Sequence, residues 1–133
     1  MAPARWERAE EVASYRQQGK RFVSRGHFAG RWQVQISVNE TAERVYASLA
    51  PSSRFAEGSV LVKAHFDAQS GAAGPIFARI KREKGFFPEG DDWEYVVTDA
   101  SFLIEDRGSL ALCARCHAEA MADDTFALSR DAR

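Results

Sequence analysis

Both cysteines of the chain fall in one short run, Cys113-Ala114-Arg115-Cys116-His117. C-x-x-C-H is the attachment signature of a c-type haem. Cys113 and Cys116 lie three residues apart and His117 four after Cys113, so on a helix all three project from one face. Two thiols at that spacing can add across the two vinyl groups of one porphyrin. The adjacent histidine then rises beneath the iron as its axial ligand. Other chemistries suit these residues less well. A Cys113–Cys116 disulfide would be strained in a helix and would close little chain. Zinc wants about four ligands, and the other histidines, His27 and His65, have no paired-ligand spacing. A thioredoxin-like redox pair belongs near a βαβ pattern, which the chain lacks. The expected cofactor is one covalently attached haem c, with His117 on the iron.

The second axial position is the next question. Electron-transfer cytochromes c use a methionine there. Here Met1 sits at the terminus, and Met121 lies one turn beyond His117 on the same helix face. Met121 therefore packs on the proximal side instead of reaching across the porphyrin. Two readings stay open. Either His65, His27 or a lysine such as Lys63 completes a six-coordinate electron-transfer cytochrome, or the distal position is empty. An open iron binds small molecules, whereas a six-coordinate iron mainly moves electrons.

Composition narrows the setting. The chain has 133 residues, 45 % hydrophobic and 28 % charged, the size and balance of one globular domain over residues 1–133. A formal net charge of −1 gives no electrostatic case for nucleic acid or an anionic membrane. No stretch approaches the roughly 18 consecutive apolar residues of a membrane span. The start, Met1-Ala2-Pro3-Ala4-Arg5-Trp6, has no apolar signal core. Covalent c-type haem is nevertheless installed outside the cytoplasm, so the expectation is a periplasmic protein whose export signal has been removed.

The elements around the motif follow from hydrophobic periodicity. Residues 4–18 carry Trp6, Ala9, Val12 and Ala13 at helical spacing, with Gly19 as a stop. From residue 31 the period becomes two: Trp32, Val34, Ile36 and Val38 alternate with polar residues, as in a half-buried strand. Asn39 can cap a second helix bearing Ala42, Val45, Tyr46 and Leu49, which Pro51 ends. Strands are expected at 59–66, 76–81, 93–98 and 101–105, and Ser109 can cap a last helix holding the C-x-x-C-H run. The class is α+β: a mainly antiparallel sheet, an N-terminal helix, a short middle helix and a C-terminal haem-binding helix. Alternation in the 59–66 strand puts Leu61, Lys63 and His65 on one face. A lysine on a buried face needs a reason, because an unpaired buried ammonium is costly.

The ordered set of residues resembles the cytochrome P-460 and cytochrome c′-beta family over residues 31–126. Its pieces are Ile36-Ser37-Val38-Asn39, then Phe55-Ala56-Glu57-Gly58-Ser59-Val60-Leu61-Val62-Lys63. Ile80-Lys81-Arg82-Glu83, Gly90-Asp91-Asp92-Trp93, the haem motif and Asp124 follow. The resemblance implies a homodimer with a five-coordinate c-type haem. In the P-460 branch, a lysine matched here by Lys63 is bonded to the porphyrin, and the enzyme oxidises hydroxylamine with an electron-acceptor protein as partner. In the c′-beta branch there is no cross-link, and a phenylalanine-lined pocket binds nitric oxide. The chain departs from the first branch at Ala64, where glutamate is usual. It departs again at Phe77, in place of the distal carboxylate, and at Val34, in place of the distal arginine. The resemblance therefore implies an apolar distal face built from Val34 and Phe77, with Lys63 beside it. A pocket without a base sheds the protons of hydroxylamine badly and suits an uncharged gas.

Overall fold

Six strands pair antiparallel, each with the next in sequence, in a continuous meander. The computed structural model describes residues 2–24, 30–120 and 122–126. The strands are β1 (Arg16–Val23), β2 (Trp32–Val38), β3 (Val60–Asp67), β4 (Ala73–Lys81), β5 (Trp93–Thr98) and β6 (Ile104–Gly108). Three helices, α1 (Ala9–Val12), α2 (Glu40–Ala47) and α3 (Ala111–His117), complete an α+β fold of the expected class. No helix among the described residues is long and apolar enough to cross a membrane.

The N-terminal third differs from the expectation. The helix anticipated over 4–18 is a single turn, and Arg16–Val23 forms an edge strand instead. Tertiary contacts satisfy the apolar stripe that suggested a helix. Trp6 is buried, and its backbone N–H donates to the Phe102 carbonyl at 2.8 Å. Gly19, with φ of 69°, lies where the β1–β2 register slips, so it bends a strand and does not end a helix. The last strand also starts later than expected. The Asp99 carboxylate accepts from the N–H groups of Ser101 and Leu103, which curls this stretch into a turn before β6. Ser109 does not cap α3; Leu110 holds that position with no side-chain bond.

Each face of the sheet has its own core. On one, Trp6 covers Val60, Val62, Ile76, Ala78, Ile80 and Val96. On the other, α2 and α3 cover Ile36, Val38, Leu61, Trp93 and Tyr95 through Ala42, Tyr46 and Ala114. Burying each large apolar side chain contributes about 1.5–3 kcal/mol, so the second face holds both helices against the sheet. Asn39 joins them locally. Its Oδ1 accepts from Ala42 N at 3.2 Å and from Val60 N at 3.0 Å, and its Nδ2 donates to the Gly58 carbonyl at 2.9 Å. Capping α2 and starting β3 with one side chain makes this residue sensitive. Asn39→Ala is expected to lower the urea midpoint by the equivalent of about 2 kcal/mol. Asn39→Asp, which keeps the acceptor and loses only the donor, should cost less; equal losses would contradict this account.

Candidate functional site

Antiparallel register decides which side chains meet on the helix-covered face. Ile36 pairs with Lys63, Lys63 with Phe77, and Phe77 with Val97; Val34 pairs with His65, and Arg79 with Tyr95. Directly paired residues share a face. Val34, Lys63 and Phe77 therefore lie on the same side as α3, which carries the C-x-x-C-H residues. Val34 is fully buried, while Lys63 and Phe77 are half-buried.

Both cysteines carry free thiols, Cys113 half-buried and Cys116 exposed. Burial, and then the Asp106 carboxylate, push the Cys113 thiol up. His117 is held from three sides. Its Nδ1 lies 3.0 Å from the Asp124 carbonyl; a carbonyl can only accept, so Nδ1 carries the hydrogen and Nε2 is the nitrogen offered to a metal. Tyr95 and Phe126 flank the ring with centroids at 5.7 Å and 5.6 Å. Two thiols and a backbone-oriented imidazole on one helix are a donor set that fits a c-type haem.

The turn that supplies the Asp124 carbonyl is anchored to β4 and β5. Arg79, itself buried, donates through Nη1 to the Asp124 carbonyl at 2.8 Å and through Nη2 to Thr125 Oγ1 at 2.7 Å. The Lys81 ammonium meets the Asp123 carboxylate at 2.8 Å, and the same carboxylate accepts from Phe55 N at 2.8 Å. Trp93 Nε1 donates to the Asp123 carbonyl at 3.0 Å. Asp123 and Asp124 both adopt left-handed backbone, with φ of 53° and 57°, a conformation Asp tolerates better than most residues. Burial, and then a hydrogen bond shared with Asp91, push the Asp124 carboxyl up to about 6.

On β3, burial first and the Arg79 charge second pull Lys63 down to about 8, against a weaker opposing pull from Cys116. Next to it, His65 Nδ1 donates to the Pro75 carbonyl at 2.8 Å, and its ring lies 4.7 Å from that of Phe77. Burial pulls His65 down to about 4, although the Pro75 carbonyl acts the other way, so the ring is neutral at pH 7. A cavity of about 440 Å³ opens over this end of the sheet, lined by Gly74, Pro75, Phe77, Val97, Asp99 and Glu105. Gly74 is needed there, because a Cβ would fall 2.5 Å from the Trp32 ring. His27, Met1 and Met121 lie outside the described residues.

No protein-family model and no curated protein matches this chain. The site thus rests on its own geometry. Sequence reasoning passed over Tyr95, Arg79 and Glu105. Tyr95 and Arg79 could have been found as the alternate, inward positions of their strands; Glu105 was hidden because its place beside Phe77 depends on the β5–β6 register shift at Val97/Thr98.

Lys63 gives a measurable signature. With the folded lysine near 8 and its ordinary value at 10.5, the unfolded chain binds more protons between those values, so stability rises with pH across that window. Below pH 8 the burial cost is present in full. Lys63→Met should therefore be the more stable form at pH 7, by about 2–3 kcal/mol, and lose that advantage above pH 10.5. Parallel urea midpoints for the two proteins from pH 7 to 11 would refute it.

Proposed function

We propose that this protein is a mono-haem c-type cytochrome whose iron is ligated by His117 and open on the side facing Lys63, Phe77 and Val34. It binds a small uncharged nitrogen species, nitric oxide foremost. The observation that carries the reading is the His117 Nδ1–Asp124 carbonyl hydrogen bond, on the helix that presents the two free thiols. A histidine fixed by a backbone carbonyl through one nitrogen is prepared to ligate through the other. When bound, the haem supplies an iron that takes up diatomic ligands and exchanges electrons. The protein's part is to hold Cys113 and Cys116 at the porphyrin edge and to orient His117. Val34 and Phe77 keep the opposite side apolar.

A second reading, hydroxylamine oxidation, draws on two further observations. Burial destabilises the Lys63 ammonium, and a neutral amine is the nucleophile that a bond to the porphyrin edge requires; exchanging the porphyrin C–H for C–N also releases two protons and two electrons, which a peroxide-class oxidant would accept. Glu105 lines the cavity beside Phe77 and offers a proton acceptor where the strand itself has none. Periplasmic residence, a homodimer and an electron-accepting protein partner belong to the same proposal.

Expression in a host with c-type assembly machinery should yield protein heavier by one haem, and acid–acetone extraction should leave the haem attached. Cys113→Ser with Cys116→Ser should abolish attachment. The ferrous protein should be high-spin and take up CO and nitric oxide; a low-spin form indifferent to CO would favour the electron-transfer alternative. Tryptic mapping separates the two readings. A haem peptide joined to the peptide containing Lys63, with hydroxylamine turnover that Lys63→Ala lowers at least tenfold, selects oxidation. A haem peptide lacking Lys63, with gas binding and no turnover, selects the binder.

A further inference from the structure

Arg79 is a buried cation whose guanidinium donates to a carbonyl and a hydroxyl and interacts with the Tyr95 side chain, with no ion pair to a carboxylate among the described residues. Its guanidinium also stacks over Trp93, 4.3 Å from the ring centroid. Burying a cation without a contacting counter-charge is expensive. A neutral glutamine could make similar hydrogen bonds at lower cost, so stability alone does not account for the charge. The acceptor it uses is the informative part: the Asp124 carbonyl takes both the Arg79 donor and His117 Nδ1–H.

We propose that Arg79 is a positioning residue for His117 and the fixed positive charge that sets the electron affinity of the site. The inference rests on the haem reading above. Through the 123–125 turn, the guanidinium holds the carbonyl that orients the imidazole. By loading that carbonyl with a charged donor, it leaves less acceptor strength for Nδ1–H, so the imidazole is a weaker electron donor to iron. The nearby positive charge acts in the same direction, favouring the reduced iron. Arg79 also stands on the face shared by Lys63 and lowers the stability of its ammonium, so one charge acts on both sides of the site.

Three variants of the haem-loaded protein test this: Arg79→Gln, Arg79→Lys and Thr125→Ala. Readouts are the iron–histidine stretch by resonance Raman and the midpoint potential. Arg79→Gln should shift the reduction equilibrium about tenfold toward the ferric form, about 59 mV for one electron, and move the iron–histidine band to higher frequency. Arg79→Lys, with charge kept and the two-pronged geometry lost, should hold the potential within about threefold in equilibrium while its band shifts or splits. Thr125→Ala should behave as Arg79→Lys does. An unchanged band and potential in Arg79→Gln overturns the inference. If that variant does not fold, an unchanged band in both Arg79→Lys and Thr125→Ala overturns it. Wild-type protein with no covalent haem would instead sink the haem reading itself, an outcome separate from either of these.

Discussion

Two cations at alternate positions of one strand, Arg79 and Lys81, tie the 123–125 turn to the sheet, and the candidate site depends on that tie. Lys81 neutralises the buried Asp123 carboxylate; Arg79 takes the next carbonyl and the Thr125 hydroxyl. Without them the left-handed aspartates of the turn would keep only the Phe55 and Trp93 hydrogen bonds to Asp123 against their strain. With them, a backbone oxygen is delivered to His117 at the end of α3. Removing one partner from the Lys81–Asp123 pair would leave an uncompensated charge, the situation that costs most in a buried pair.

The two faces of the sheet divide the work. One is a plain apolar core under Trp6, closed by an exposed ion network in which Arg107 joins Glu7 to the buried Glu94. The other carries apolar contacts mixed with Lys63, His65, Arg79 and Lys81. Polar and cationic side chains on an inward face lower stability unless they hold something, and such local conflicts concentrate at functional sites. Here two of them, Arg79 and Lys81, hold the 123–125 turn whose Asp124 carbonyl meets His117. The cavity over Phe77 is lined by residues of β4, β5 and β6 and of the turn after β5.

Much of the architecture was legible in periodicity, and its failures have physical causes. The alternation in β2 and the Asn39 cap appear in the structure as read, because one face of that strand is buried and the cap satisfies local donors. β1 was not legible: an exposed edge strand with Gln17, Gln18 and Lys20 has no buried face to impose a pattern. The apolar residues before it read as a long helix, though they turn inward for a single turn only. β6 slipped because Asp99 consumes the N–H groups at the start of the run.

The sequence by itself determined the covalent chemistry on offer: two cysteines and a histidine at fixed spacing, and the period of two that puts Lys63 and His65 on one face of their strand. Those are local properties, set by bond geometry and by the pleat. Tertiary structure alone decided which face α3 covers, and therefore that Lys63 lies half-buried on that same face. It also decided that Asp124 offers its carbonyl to His117, that Arg79 shares that oxygen, and that Glu105 stands beside Phe77. The Arg79 and Glu105 pairings join residues tens of positions apart through cross-strand register, whereas Asp124 meets His117 only seven positions on through a turn with left-handed backbone. No local pattern encodes such pairings, because they depend on which buried groups find their partners once the sheet has assembled.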